Sequence, residues 1–171
     1  INVRKNLATR TIFNLLGPLT NPARASKQLL GVYSKDLVSM HCNCLKDLGA
    51  ERAIVVHGLD GLDEISLSDK TLINELKDNK IQEYIFNPKE YGYNLIKLEE
   101  IKGGDPEYNA KCFEKMINGD YDKFQKIIEI NAGAAIYLSN LRSNFSDSFD
   151  LAKKVIEEGI TKNFVNSVIN A

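Results

Sequence analysis

Residues Arg52-Ala-Ile-Val-Val-His57 form an apolar, β-branched run that leads straight into the loop Gly58-Leu-Asp-Gly-Leu-Asp-Glu-Ile65. No other stretch limits the possible folds as tightly. A strand that is apolar on both faces must be covered on both faces, which is the position of a central strand in an α/β sheet. Gln28-Leu-Leu-Gly-Val-Tyr33 is a second short apolar run. Between the two, Lys35 to Leu48 places Leu37, Met40, Cys44, Leu45 and Leu48 at helical intervals and stops at Gly49. Strand, helix and strand in this order make a βαβ unit with a right-handed crossover.

Downstream the pattern changes. Thr71–Leu76 and Ile81–Phe86 read as two strands around the turn Lys77-Asp-Asn79. Asn87-Pro88 closes that unit. Gly103-Gly104-Asp105-Pro106 marks a helix start, with Asp105 as cap and Pro106 in the first turn. Helices are expected over 106–118, 121–139, 147–158 and 161–169. At the other end, Val3, Leu7, Ile12, Phe13, Leu15 and Leu16 suit one or two short helices before Gly17-Pro18 breaks the pattern. The expected fold is one α/β domain: a mostly parallel central sheet flanked by helices, with a β-hairpin and a helical carboxy-terminal tail.

The chain has 171 residues, 43% apolar and 26% charged, enough to build a core of its own. Its net charge of −1 provides no basic field for nucleic acid, so a phosphate site would have to be local. No apolar run reaches the length of a membrane span. Cys42, Cys44 and Cys112 do not make a disulfide framework and fit a reducing, cytoplasmic setting. The sequence opens at Ile1 inside a patterned segment, and the reading here is of a fragment with residues missing before it.

In open α/β sheets, ligands bind beyond the carboxyl ends of the strands. The loop after His57 carries Asp60, Asp63 and Glu64, with Gly58 and Gly61 to turn the backbone. Adjacent carboxylates repel unless a cation lies between them. Mg2+ is held by one or two carboxylates together with substrate phosphates and water. Asp63–Glu64 suits that task, but taken as residues alone the pair reads first as an acidic turn in solvent. Arg4, Lys5, Arg10 and Arg24 gather positive charge near the start, where an arginine could pair with a carboxylate or simply form a basic helix face. His41, Cys42 and Cys44 lack a fourth ligand at zinc spacing and read as core residues, as does His57. Gly103-Gly104-Asp105 could cradle a phosphate, but a helix start explains it fully. Asn131-Ala-Gly-Ala-Ala135 reads as small residues packed in the core.

Arg10-Thr-Ile-Phe-Asn-Leu-Leu-Gly-Pro-Leu-Thr-Asn-Pro-Ala23, then Gln28–Tyr33, Val55-Val-His-Gly58 and Gly61-Leu-Asp-Glu-Ile-Ser66, in this order and spacing, closely resemble the anthranilate phosphoribosyltransferases of glycosyltransferase family 3. Gly104-Asp105, Asn109-Ala110 and Asn131-Ala132 fit the same family, so the resemblance spans essentially the whole chain. It implies the carboxy-terminal α/β catalytic part, residues 1–171, of a larger enzyme. That enzyme would transfer phosphoribosyl from 5-phosphoribosyl pyrophosphate to the amine of anthranilate in tryptophan biosynthesis, with release of pyrophosphate and Mg2+ as cofactor. It further implies a homodimeric full-length protein. By motif position, Asp63 and Glu64 correspond to the metal pair, Arg4 to the arginine that meets anthranilate's carboxylate, and Pro18 to the anthranilate channel.

Two departures stand out. Leu7-Ala8 replaces the family's Leu-Gly. The family's Gly-Thr-Gly-Gly-Asp phosphate loop and amino-terminal helical domain are absent from this sequence, so the 171-residue chain alone is expected to be inactive. The alternatives are a pyrimidine nucleoside phosphorylase-like enzyme and a non-catalytic small-molecule-binding module of the same fold.

Overall fold

A computed structural model of the chain describes residues 13–120 and 123–170. The segment opens with α1 (Phe13–Leu16), which runs into a 3-10 turn over Gly17–Leu19, where Pro18 removes a main-chain donor and tightens the helix. Then follow β1 (Lys27–Gly31), α2 (Asp36–Asp47), β2 (Arg52–Gly58), β3 (Thr71–Lys77) and β4 (Lys80–Phe86). Two further 3-10 turns, Pro88–Tyr91 and Leu98–Ile101, occupy the stretch before α3 (Pro106–Ile117). The chain finishes with α4 (Lys123–Leu138), α5 (Phe145–Glu157) and α6 (Ile160–Ile169). The four carboxy-terminal helices fall where spacing and caps placed them.

The four described strands form one sheet in the order β1-β2-β3-β4. β1 and β2 are parallel, with Leu29 opposite Ile54 and Gly31 opposite Val56. β2–β3 and β3–β4 are antiparallel. The α/β class and the βαβ unit are as expected, but the expectation of a mostly parallel sheet holds only in part. The reason lies in the connections. Parallel neighbours need a crossover long enough to return to the starting edge. Only β1 and β2 have one, through α2. The β2–β3 loop carries no helix, and β3–β4 turns at Asp78 and Asn79, with φ of 51° and 58°. Two successive positive φ values define the type I′ turn whose twist matches a hairpin, and Asp and Asn tolerate that conformation.

β2 is buried along its whole length. Ala53 and Val55 face α2, packing with Val38, Cys42 and Leu45. Ile54 and Val56 face the other layer, with Ile127, Ile130 and Ala134 of α4 and Phe149 of α5. Fully burying each branched side chain contributes about 1.5–3 kcal/mol, which explains the absence of a polar residue between Ala53 and Val56. A Cβ at Gly133 would strike the Phe149 ring, so α4 and α5 approach at that residue as the small-residue reading expected. An aromatic cluster of Phe86, Tyr91, Phe145 and Phe149 seals this layer, Phe86 and Tyr91 stacking with ring centroids 4.9 Å apart.

The amino end of β2 holds a different structure. Buried Arg52 pairs with buried Glu75 of β3 at 3.1 Å. Tyr137 and Tyr84 donate hydroxyl hydrogen bonds to the same carboxylate at 2.8 and 3.0 Å. Arg52 also donates to the Tyr137 carbonyl and to the Asn140 side chain, and lies over the Tyr137 ring. Burial, followed by the negative charge of Glu75, pushes the Tyr84 hydroxyl pKa far up, so it stays a donor.

Candidate functional site

The parallel pair places the carboxyl ends of β1 and β2 side by side, and the acidic loop sits there. It closes on itself: the Gly58 N–H donates to the Leu62 carbonyl at 2.8 Å and the Gly61 N–H to the Gly58 carbonyl at 2.9 Å, with Gly61 at φ 99°. A Cβ at Gly31, the last residue of β1, would collide with the main-chain carbonyl of Asp63. The loop therefore crosses directly over the end of β1, and only glycine leaves room for it. Buried His57 donates from Nδ1 to the Val32 carbonyl at 2.8 Å, and the Val32 N–H reaches the Val56 carbonyl at 3.0 Å. His57 thus ties the two strand ends together, a structural role as expected.

The three carboxylates of the loop have different surroundings. Asp60 is spent internally: it accepts from the Leu62 N–H at 3.1 Å and from the hydroxyls of Ser66 and Ser68. Partial burial pushes its pKa up, but these hydrogen bonds outweigh burial and hold it below the ordinary value. Asp63 and Glu64 are exposed. Among the described residues neither side chain has a hydrogen bond or ion pair. The Glu64 carboxylate lies close enough to the protein for desolvation, followed by the adjacent Asp63 charge, to raise its pKa. Two neighbouring carboxylates with uncompensated repulsion and open lone pairs form an oxygen donor set that suits a hard divalent cation. No group of three or more His, Cys, Asp or Glu side chains able to hold a metal occurs among the described residues. Mg2+ does not require one, because substrate phosphates and water complete its shell.

Pro18 is half-buried in the turn after α1, a segment joined to α2 by the contact of His41 Nε2 with the Leu15 carbonyl at 3.2 Å. No hydrogen bond among the described residues joins Pro18 to the acidic loop. Arg4, Lys5, Leu7, Ala8 and Arg10 lie outside the described residues, and Arg24 is exposed at φ 48°. His41 and Cys42 are core residues, and burial followed by the Glu75 charge raises the Cys42 thiol to about 11, far from a ready metal ligand. At Gly103-Gly104-Asp105, Asp105 caps α3 by accepting from Tyr108 N–H at 2.8 Å. Asn109 accepts from the Gly104 N–H at 2.9 Å and donates to its carbonyl at 3.1 Å. The turn is satisfied from within, as a helix start. A cleft of about 480 Å³ bordered by Leu19, Asn21, Arg24, Gln28 and Leu48 lies at the amino end of β1, away from the acidic pair.

One polar contact at the site is not visible in the sequence. Asn131, in the middle of α4, accepts from the Ile65 N–H at 2.9 Å and donates to the Ile65 carbonyl at 3.0 Å. It also donates to the Ile127 carbonyl at 2.9 Å. The expectation of small core residues over 131–135 holds for Gly133 and Ala134 but not for Asn131. The available signal is a short amide in a helix interior, where such side chains compete with the backbone unless given another task.

The mixed sheet thus carries an unpartnered acidic pair over the end of its parallel strands. Residues 1–162 match the family described as "Glycosyl transferase family, a/b domain", and the chain belongs to that family. The anthranilate phosphoribosyltransferase of Alkaliphilus metalliredigens (strain QYMF) is 42% identical over 166 residues, covering 97% of this chain and 49% of that protein. That of Methanobrevibacter smithii is 42% identical over 160 residues, covering 94% of this chain and 48% of that protein. Among solved structures, anthranilate phosphoribosyltransferase from Thermus thermophilus superposes with a TM-score of 0.83 at 36% identity, over 92% of this chain and 46% of that one. The Saccharomyces cerevisiae enzyme in complex with PRPP and Mg gives a TM-score of 0.81 at 28% identity, over the same shares. The chain spans about half the length of the relatives it matches. Among the described residues no helix is long and apolar enough to cross a membrane.

Proposed function

We propose that this chain is the α/β portion of an anthranilate phosphoribosyltransferase, and that Asp63 and Glu64 hold Mg2+ against the pyrophosphate of 5-phosphoribosyl pyrophosphate. The observation that carries the reading is the division of labour in one loop. Asp60 is consumed by Ser66, Ser68 and Leu62, while Asp63 and Glu64 keep their oxygens free. Among the described residues, water alone covers the oxygens of the exposed pair, so they remain available to a cation, whereas those of Asp60 are occupied. The relatives' names and the PRPP- and Mg-bound neighbour agree with it.

In this reaction the anthranilate amine attacks the anomeric carbon as pyrophosphate leaves, with positive charge growing on the sugar and negative charge on the leaving group. Mg2+ held by Asp63 and Glu64 would supply positive charge against that of the leaving group. The chain's own part is placement. Asp63 and Glu64 present oxygens at the strand ends, Asp60 keeps the loop closed, and Gly31 lets the loop lie over β1. Arg4 pairs with anthranilate's carboxylate and Pro18 lines its channel, on the strength of motif position. Phosphate-gripping residues from the rest of the longer protein complete the site. The full-length enzyme is read as a cytoplasmic homodimer.

The test uses the full-length enzyme. Asp63→Ala combined with Glu64→Ala should abolish the Mg2+ dependence of turnover, and unchanged dependence would remove the pair from the site. Turnover with anthranilate but not with thymidine distinguishes the transferase from a pyrimidine nucleoside phosphorylase. Arg4→Ala should raise the KM for anthranilate more than it lowers kcat.

A further inference from the structure

The acidic pair is followed immediately by Ile65, which is fully buried. A buried residue on an irregular loop needs partners for both its main-chain groups. Asn131 supplies both, accepting from the Ile65 N–H at 2.9 Å and donating to the Ile65 carbonyl at 3.0 Å. Its second amide hydrogen goes to the Ile127 carbonyl at 2.9 Å, which fixes the side chain to its own helix. The amide therefore acts on Ile65 as a neighbouring strand would, from a rigid helix. On the other side of the pair, the Asp63 carbonyl rests against Gly31 with no room for a methyl group. The loop is held at both ends: by β1 beneath Asp63 and by α4 beside Ile65.

We propose that Asn131 is a positioning residue for the acidic pair: by clamping the Ile65 peptide to α4, it fixes Asp63 and Glu64 over the end of β1 in the geometry that binds the divalent cation. This inference rests on the metal reading of Asp63 and Glu64. Asn131 itself contributes no metal ligand. A loop free to drift would have to be ordered by the cation at each binding event, and residues that orient ligands from behind typically change metal affinity or activity about 10- to 100-fold.

The experiment compares Asn131→Ala and Asn131→Asp with the wild type in the full-length enzyme. Three quantities are measured: the Mg2+ concentration for half-maximal turnover, Mn2+ binding from the amplitude of the free-ion EPR signal with and without 5-phosphoribosyl pyrophosphate, and the metal-free thermal midpoint. Asn144→Ala, which strips the cap from α5, provides a destabilised reference far from the loop. Both Asn131 variants should weaken Mn2+ binding and raise the Mg2+ requirement by about 10-fold or more, while the reference keeps wild-type metal response. Asn131→Asp is the sharper case. It retains the acceptor for the Ile65 N–H but turns a carboxylate on two carbonyls, and its added negative charge would by itself tighten a cation site. Weaker metal binding in that variant therefore reports geometry. If Asn131→Ala does not fold, Asn131→Asp decides alone. Metal binding that stays at wild type, or tightens, in a folded Asn131 variant would overturn the proposal. If Asp63→Ala with Glu64→Ala also leaves metal binding intact, the metal reading itself has failed. If that double variant loses metal while Asn131 variants keep it, only the positioning role has failed.

Discussion

Removing the charge of Glu75 should destabilise the fold severely and leave the acidic loop untouched. Glu75 is buried on β3 and receives three donors: Arg52 Nη2 at 3.1 Å, the Tyr137 hydroxyl at 2.8 Å and the Tyr84 hydroxyl at 3.0 Å. In Glu75→Ala, Arg52 keeps the Tyr137 carbonyl, the Asn140 side chain and the Tyr137 ring, but its charge is left without a counter-ion and both tyrosines lose their acceptor. Breaking a buried pair in this way costs about 3–5 kcal/mol. Glu75→Gln restores an acceptor without the charge and should fall at the lower end of that range. For a domain of this size each kcal/mol lowers the melting temperature by about 2–4 °C, so the Ala variant should lose at least about 6 °C. The assay is denaturant unfolding of the full-length enzyme with a matching thermal scan. Arg52→Met combined with Glu75→Leu should recover only part of the loss, because it removes the uncompensated charge but still leaves the Tyr84 and Tyr137 hydroxyls without their acceptor. The network lies at the amino end of β2, opposite the acidic loop, so the proposed Mg2+ site should not respond in any folded variant. A cost below about 1 kcal/mol for Glu75→Ala would match an exposed pair and refute the argument that this network is desolvated.

Asp60→Asn should cost about 2 kcal/mol at neutral pH, because the amide offers donors to a Ser66 hydroxyl that already accepts from the Ser68 and Asp69 N–H groups. The folded pKa of Asp60 lies below the ordinary value, so the wild-type advantage is present above the unfolded pKa and vanishes as pH falls through the folded one; urea midpoints across the acid range check this. Glu129 is the opposite case: burial raises its pKa despite the hydrogen bond from Gln125, so its charge costs stability at neutral pH and that cost disappears as pH falls through the raised value. Glu129→Gln should therefore melt higher than wild type at pH 8, with the gain shrinking toward zero in acid. Asn79→Gly, in the positive-φ turn between β3 and β4, should add up to about 1 kcal/mol in denaturant unfolding, and a loss would contradict the turn assignment.

Much of the fold was legible because local signals agreed. The β-branched run 52–57, the cap and proline at 105–106, and the Asp-Asn turn each pointed to one structure. The sheet's mixed direction was harder, because strand composition does not encode pairing direction; only the lack of a helix between Gly58 and Thr71 does. In the site, Asp63–Glu64 stood out in the sequence as the adjacent pair, but the internal role of Asp60 did not. That distinction depends on Ser66 and Ser68 folding back onto one carboxylate and not the others. Asn131 was hidden by distance: its partner Ile65 lies 66 residues away, and no local pattern announces such a contact. Arg4 and Pro18 rest on motif position, and Arg4 lies outside the described residues.

The close fit of Gly31 beneath Asp63 has a consequence for quality control. In the native register Gly31 lies opposite Val56 and is the residue the loop crosses. A slip of β1 by one position would bring Leu30 or Val32 under the Asp63 carbonyl, where even a methyl group does not fit, and would turn the strand's faces over. In a misregistered molecule the acidic pair would be pushed off the strand end. The register of β1 and the placement of Asp63 and Glu64 are thus set together, so a slipped strand would show itself first at the acidic pair.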